Sequence, residues 1–252
     1  MFRKLKEQIL TILIFFISSL IISISIYVLI PIVMKSFDVP FAVAYLGCFY
    51  IPFVGLFVTA LILYKREGHK FSITEISTRL RLHKLDKKSL KQLGIFFVVV
   101  GLGFLIASFL SQLISDNIKF LAVPESFPAG LNHNKEQVPG YFMGFYVKGI
   151  WWYPVLYFIG WFFNIFGEEI LFRGVLLPRN EKTFGDKAWI FQGILWGSWH
   201  IYWYWQFIPI ILFVALPLVF IVQRSKNTWF GIIIHGTMNL IPIVFLIIQV
   251  AS

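Results

Sequence analysis

The chain has 252 residues, of which 58% are hydrophobic and only 13% are charged, and its formal net charge is +10. This composition excludes an ordinary soluble domain of this size, which needs far more polar surface, and indicates a polytopic membrane protein. Nucleic acid is not an expected partner, because the sequence contains no basic, soluble domain that could bind it. The single cysteine, Cys48, excludes an internal disulfide framework and a thiolate metal cluster.

Apolar runs long enough to cross a membrane follow one another along the whole chain. In order, they are Ile9–Met34, Phe41–Tyr64, Leu93–Ser115, Lys148–Leu177, two short spans within Ala188–Gln223, and Trp229–Val250. Ala188–Gln223 holds no Asp, Glu, Lys or Arg, and Tyr202–Phe207 marks the break between its two spans. The predicted fold class is therefore all-α, a polytopic transmembrane bundle of about seven spans. An eighth, re-entrant or interfacial piece is left open.

The loops alternate between basic segments and segments poor in Lys and Arg. The basic ones are the N-terminus, Lys65–Lys91, Arg179–Lys187 and Arg224–Lys226. The others are Lys35–Pro40, Asp116–Val147, Tyr202–Phe207 and the C-terminus. Because basic loops stay in the cytoplasm, this alternation predicts a multi-pass protein of the cell membrane with its N-terminus inside and its C-terminus outside. Within the loop 65–91, Ile73, Ile76 and Leu80 recur at helical spacing and predict an amphipathic helix on the lipid surface.

Two adjacent carboxylates and an arginine, Glu168, Glu169 and Arg173, interrupt the fourth apolar run. Charges at such depth cost about 2.5–3.5 kcal/mol each, so they persist where they are paired or functional. Arg173 lies four residues after Glu169 on the same helix face, which predicts an ion pair between them. Glu168 points about 100° away and is left to act as a general base on water. The alternative is a structural salt-bridge cluster near the headgroups.

Two histidines lie in other apolar spans. His200 follows Trp196 by four residues, and His235 precedes Asn239 by four, so that each pair shares a helix face. A carboxylate, two imidazoles and an amide suit the attack of water on a carbonyl group. Glu168 would take the proton, His200 would orient the water or carry charge, and His235 and Asn239 would donate hydrogen bonds to the oxyanion.

Two features of these spans allow more than one interpretation. The same atoms could bind Zn²⁺ as a His₂Glu site, although no His-Glu-x-x-His spacing supports it. Trp196 could line a cavity or simply fill the core. Glycines that permit close approach of helices flank these positions; they are Gly167, Gly174, Gly197, Gly231 and Gly236.

Glu168-Glu169-x-x-x-Arg173, an aromatic-x-x-x-His and His-x-x-x-Asn, in this order, resemble the CPBP family of intramembrane proteases. That family includes CAAX-prenyl endopeptidases and bacteriocin-processing or bacteriocin-immunity proteins, and the resemblance covers roughly Tyr153–Ile248. It implies that Glu168 is the catalytic glutamate, with His200, His235 and Asn239 as the other catalytic residues and Glu169 and Arg173 in support. The second motif usually begins with Phe, whereas Trp196 stands here, which affects the shape of the pocket more than its chemistry.

The resemblance divides the chain into N-terminal spans with a basic loop, 1–147, and a catalytic core, 148–252. The predicted function is an intramembrane endopeptidase that cleaves a membrane-associated peptide or protein from the cytosolic side, where the basic loops would attract acidic substrates or lipid headgroups. No cofactor is expected, because Asn239 suits an oxyanion better than a metal; zinc is the alternative. Expected partners are membrane lipid and the substrate, and the oligomeric state is open. A non-catalytic scaffold or immunity protein, and a transporter, are the rival functions; no internal repeat supports the transporter.

Overall fold

The structure, a computed structural model, describes residues 2–123, 138–204 and 206–252. Residues 124–137 of the predicted loop Asp116–Val147 lie outside the described residues. Nearly all of the described chain is helical, and this confirms the predicted all-α bundle. The helices are α1 (Phe2–Ile24), α2 (Ile30–Phe37), α3 (Phe41–Arg66), α4 (Ile73–Arg79), α5 (Lys87–Asn117), α6 (Trp152–Glu168), α7 (Leu177–Phe184), α8 (Ala188–Trp199), α9 (Phe207–Ile210), α10 (Leu216–Ser225), α11 (Trp229–Met238) and α12 (Ile241–Ala251).

Short segments of other geometry join or interrupt these helices. Segments of π-helix cover Ser25–Leu29, Glu169–Leu176 and Ile211–Ala215, and 3₁₀ turns cover Lys119–Leu121, Gly185–Lys187 and His200–Trp203. The one antiparallel hairpin among the described residues pairs β1 (Tyr141–Phe142) with β2 (Phe145–Tyr146). Both turn residues, Met143 and Gly144, have positive φ, as a tight hairpin turn of this hand requires.

Six helical runs among the described residues are long and apolar enough to cross a membrane: Leu5–Phe37, Phe41–Arg66, Lys87–Asn117, Trp152–Trp203, Ile208–Ser225 and Trp229–Ala251. The fourth run has 52 residues. A straight helix of that length would extend about 78 Å, more than twice the ~30 Å core of a bilayer. It folds back at Gly185, and Gln192 Nε2 donates to the carbonyl oxygen of Phe172 across the fold at 2.7 Å. Counted as two crossings, this run gives the seven that hydropathy predicts.

The predicted amphipathic helix of the basic loop is α4. Ile73 is 88% exposed, whereas Leu80 is only 3% exposed and packs against Gly174. Leu80 therefore belongs to the protein core, and the expectation that it lies on the lipid surface is wrong for that residue. The loop is also bound to α11, because Thr228 Oγ1 donates to the carbonyl oxygen of Leu80 at 2.7 Å.

The N-terminal helices pack directly against the C-terminal ones. A Cβ added at Gly167 of α6 would lie 2.5 Å from the carbonyl oxygen of Phe53 in α3, so the two backbones touch at that glycine. In α1, Ser18 Oγ accepts a hydrogen bond from Trp199 Nε1 at 2.8 Å, and Ser19 Oγ donates to the Trp199 carbonyl at 2.6 Å. Helices α1 and α3 thus support the helices that carry the predicted site.

Candidate active site

One cavity of about 1580 Å³ contains all four residues predicted to be catalytic. Glu168, His200, His235 and Asn239 line it, together with Asn164, Trp196 and a largely apolar and aromatic wall. Glu169 and Arg173 do not line the cavity, and both are fully buried behind it. The structure thus brings together side chains from α6, α8 and α11 that lie up to 71 residues apart in the sequence.

The carboxylate of Glu168 is 2% exposed and is held by two donors. Oε1 accepts a hydrogen bond from Asn164 Nδ2 at 2.9 Å, and Oε2 accepts one from Trp196 Nε1 at 2.7 Å. Asn164 lies one turn earlier on α6, and Trp196 reaches across from α8. Because a carboxylate has about four acceptor positions, two remain for a water molecule in the cavity.

Glu169 is shared between two partners. Its Oε2 lies 3.4 Å from Arg173 Nε, which confirms the predicted ion pair, and its Oε1 lies 3.0 Å from His235 Nδ1. His235 was predicted to act with Asn239 as a hydrogen-bond donor to the oxyanion, with no partner of its own. Instead, one nitrogen of its ring is occupied by Glu169, and only Nε2 is left for the cavity. A carboxylate that fixes one imidazole nitrogen also fixes the direction of the other.

Trp196 contacts every charged or titratable group of the site except Glu169. Besides its bond to Glu168, its ring lies edge-on to His200 and to His235, with centroid distances of 5.4 and 5.2 Å. The guanidinium of Arg173 lies 3.8 Å from the centre of the same ring. No hydrogen-bond acceptor in the described chain reaches the nitrogens of Arg173, so its charge is stabilised by the nearby Trp196 ring and by the carboxylate of Glu169 at 3.4 Å, with Glu168 contributing from farther away.

His200 begins the 3₁₀ turn at the end of α8. Its Nδ1 lies 2.9 Å from the carbonyl oxygen of Trp196. Because a carbonyl can only accept, Nδ1 is the donor, and in the neutral ring Nε2 carries a lone pair. His200 is therefore suited to accept a hydrogen bond from water.

Asn239 follows the last residue of α11. Its Nδ2 donates to the backbone carbonyl of His235 at 3.1 Å, which holds the amide beside the histidine. An amide nitrogen carries two hydrogens, so one N–H remains for a ligand in the cavity.

The side chains present do not fit a metal centre. In the described part of the chain, no three His, Cys, Asp or Glu side chains are grouped so that they could hold a metal ion. Glu169 is held by Arg173 and by Nδ1 of His235, and it does not line the cavity. We therefore derive no chemical step that passes through zinc.

Two of the predicted glycines are explained by contacts within the site. A Cβ at Gly231 would lie 3.0 Å from the carboxyl carbon of Glu169, and one at Gly197 would lie 2.9 Å from the Cα of Ile211. The first glycine makes room for the buried carboxylate, and the second lets α8 approach the π-helical segment Ile211–Ala215. A Cβ added at Gly174, by contrast, would lie 3.5 Å from its nearest neighbours in Leu80, which is an ordinary van der Waals distance.

A second cavity of about 680 Å³ lies between the basic loops and contains none of the predicted catalytic residues. Arg81 pairs there with Glu181 at 2.7 Å, and Glu67 pairs with Arg79 and, at 2.7 Å, with Arg179. Burial raises the pKa of Glu67, but hydrogen bonds from the two arginines outweigh burial and hold that pKa below its ordinary value of 4.5.

Among the described residues, the basic loops do not contribute to the larger cavity. None of the described residues that line the larger cavity comes from the loops 65–91 or 179–187. Its outer lining is formed instead by Lys35–Pro40 and by the hairpin segment 138–144. The basic loops are therefore not part of the described lining, and the expectation that they attract substrates stays a prediction.

Two side chains of the site were not assigned from the sequence. Asn164 lies four residues before Glu168, a spacing that could have shown that it shares a face with the carboxylate. Trp196 was expected either to line a cavity or to fill the core, but its bond to Glu168 was not predicted, because a sequence does not show whether an indole N–H points to a lipid, to the backbone or to a carboxylate.

Residues 150–241 match the family model described as "Type II CAAX prenyl endopeptidase Rce1-like". The matched segment covers 92 of the 252 residues and includes every predicted site residue. A search of curated proteins and a search of solved structures each found no match. The family match confirms the resemblance drawn from the motifs, and it is consistent with a CPBP or CAAX protease family.

Proposed function

We propose that the protein is an intramembrane endopeptidase in which Glu168 activates water for attack on a peptide bond. The observation that carries the proposal is the shared cavity, in which Glu168 is oriented by Trp196 and Asn164 and which His200, His235 and Asn239 also line. A buried carboxylate with free acceptor positions in a cavity lined by polar donors is the arrangement that general-base hydrolysis needs.

In the proposed reaction, water donates one hydrogen bond to Glu168 and the other to Nε2 of His200. Glu168 takes a proton as the water oxygen bonds to the carbonyl carbon, and the carbonyl oxygen becomes an oxyanion. The free N–H of Asn239 and the Nε2–H of His235 stabilise that oxyanion. Because Nδ1 of His235 is bound to Glu169, its Nε2 can donate only in the imidazolium form, for which Glu169 is the adjacent counter-charge. Glu168 then gives its proton to the amine as the C–N bond breaks.

We propose a membrane-associated peptide or protein as the substrate. The large, mainly aromatic and aliphatic wall of the cavity supports an apolar segment around the cleaved bond. The description of the matching family names a CAAX prenyl endopeptidase, and we therefore include a prenylated CAAX tail among the peptides to be tested.

The proposal is tested by replacing Glu168 with glutamine, which preserves size and removes the base. Terminal proteomics of membranes from cells that express the wild-type protein or the variant would reveal products that depend on Glu168. Quenched fluorescent peptides, with and without a farnesylated CAAX tail, would then give rates in proteoliposomes. We expect Glu168→Gln to abolish cleavage while the protein remains inserted and folded.

Glu181→Gln is the matched control. Glu181 is also a paired glutamate of the same helical run, but it belongs to the basic face and contacts Arg81. The Glu181→Gln variant should cleave the peptide at the wild-type rate. If Glu168→Gln cleaves as fast as the control, Glu168 is not the base. If the wild type yields no product at all, the buried cluster has a structural role, as in a scaffold or immunity protein.

A further inference from the structure

The segment of chain between Glu168 and the basic loops is tightly packed. All eight residues of the π-helical segment Glu169–Leu176 are buried. Phe172 stacks on Phe15 of α1 with a centroid distance of 4.2 Å, and Arg79 of the basic loop donates to the carbonyl oxygen of Gly174 at 2.9 Å. A substrate that came from the basic face would have to displace this packing.

On the other side of Glu168, the cavity leads to exposed residues. Its lining passes from Asn164 and Trp196 to the segment 35–40 and to the hairpin. Val138 and Tyr141 at that end are 51% and 41% exposed. The hairpin end is also the end at which the chain terminates, because Gly140 N donates to the Gln249 side chain and Gly149 N donates to the Val250 carbonyl. The site therefore communicates with the end of the bundle opposite the basic loops.

Charge indicates which membrane face this is. Of the 22 Lys and Arg residues, seventeen lie in the four basic segments, four lie on the opposite side, and the remaining one is Arg173. Such a bias places the basic segments in the cytoplasm and the hairpin end outside. The lining of the cavity carries one cation and one anion at its mouth, Lys35 and Asp38, so their charges cancel.

We infer that the substrate reaches Glu168 from the extracytoplasmic face, as an apolar, uncharged peptide segment that enters between the 35–40 turn and the hairpin. The inference rests on the proposed endopeptidase function and adds to it the face of access and the chemistry of the segment. It replaces the cytosolic approach expected from the sequence. Aromatic rings along the wall supply the apolar contact; among them are Tyr45, Phe49, Phe142 and Tyr157.

Access is tested by thiol labelling in a protein that carries Glu168→Gln, so that turnover plays no part, and Cys48→Ser, which removes the native thiol. Met238→Cys places a thiol in the cavity next to Asn239, and Thr78→Cys places one in the basic-face cavity as the matched control. A charged methanethiosulfonate is added to intact cells and, separately, to inside-out vesicles. We expect Met238→Cys to react at least about tenfold faster in intact cells, because the charged reagent does not cross the apolar interior, and Thr78→Cys to show the reverse.

Faster labelling of Met238→Cys in inside-out vesicles overturns the inference, and so does equal labelling from both faces or none. Met143→Cys, at the hairpin turn, gives a second reading of the same cavity and covers the case that Met238→Cys does not fold. If the apolar segment is right, an apolar decapeptide added to intact cells slows labelling of Met238→Cys, and a Lys-rich decapeptide does not. Equal protection by both peptides, or none by the apolar one, refutes the chemistry of the segment. Because these variants are inactive, failure here is distinct from failure of the endopeptidase proposal.

Discussion

Replacement of Trp196 by phenylalanine removes one indole N–H and keeps an aromatic ring beside both histidines and Arg173. The lost hydrogen bond is the 2.7 Å contact to Glu168 Oε2, and bonds to charged groups contribute about 1.5–3 kcal/mol. If that energy orients the carboxylate in the transition state, at about 1.36 kcal/mol per factor of ten, kcat/KM falls roughly 10- to 150-fold. The loss should appear in kcat, because the peptide does not touch this bond when it binds.

The matched control is Trp199→Phe, three residues away on the same helix. Trp199 is as deeply buried as Trp196, and its indole also donates at 2.8 Å, but the acceptor is the neutral hydroxyl of Ser18. This variant should lose about 0.5–1.5 kcal/mol of stability and keep its kcat. Both variants are assayed on the quenched peptide in proteoliposomes and by thermal unfolding in detergent. Equal kcat values in the two variants would refute the argument that Trp196 positions the base.

Three further substitutions probe the surroundings of the site. Gly231→Ala forces a methyl group against the carboxylate of Glu169, and overpacking of this kind costs about 1–3 kcal/mol of stability. The control is Gly55→Ala, whose added Cβ would have no atom within 4 Å and should leave the melting temperature nearly unchanged in the same thermal assay. Arg173→Met leaves Glu169 buried without its cation and should destabilise the protein by about 3–5 kcal/mol. Adding Glu169→Gln to this variant should recover part of that stability, whereas an unchanged melting temperature in Arg173→Met would contradict the ion pair. The folded-state pKa of Glu67 lies below 4.5, so its ion pairs with Arg79 and Arg179 stabilise the fold above that pH and are lost as the pH falls further. Glu67→Gln should therefore reduce the decline of the melting temperature on acidification.

Hydropathy and helical spacing were enough to predict most of the fold. The apolar runs locate the helices, and the i, i+4 relation of Glu169 and Arg173 led to the ion pair that the structure contains. The hairpin was missed because its turn is Met143-Gly144, whereas Asn-Gly or Asp-Gly is the pattern that identifies such a turn. The division of the chain into 1–147 and 148–252 stays a prediction.

The site was predicted as a set of residues but not as an arrangement. Motif spacing selected Glu168, His200, His235 and Asn239, because ionisable and amide groups are rare in apolar spans. It could not show that Glu169 binds His235, since the two lie 66 residues apart on different helices. The residues that line the outer part of the cavity were not predicted, because basic loops indicate a side of the membrane and do not indicate where the helices leave a gap.

The π-helical segment Glu169–Leu176 has a consequence for how this protein can vary. A π-helical turn contains one residue more than an α-helical turn, and here it lies between the carboxylate of Glu168 and the basic face. The carbonyl oxygens of Phe172 and Gly174 are taken by side chains of other elements, Gln192 and Arg79. Deletion of one residue from this segment would restore a regular helix and rotate α7 by about 100° relative to Glu168. Substitutions that keep the length of this segment keep that rotation, so its length determines how the candidate site is oriented relative to the basic face.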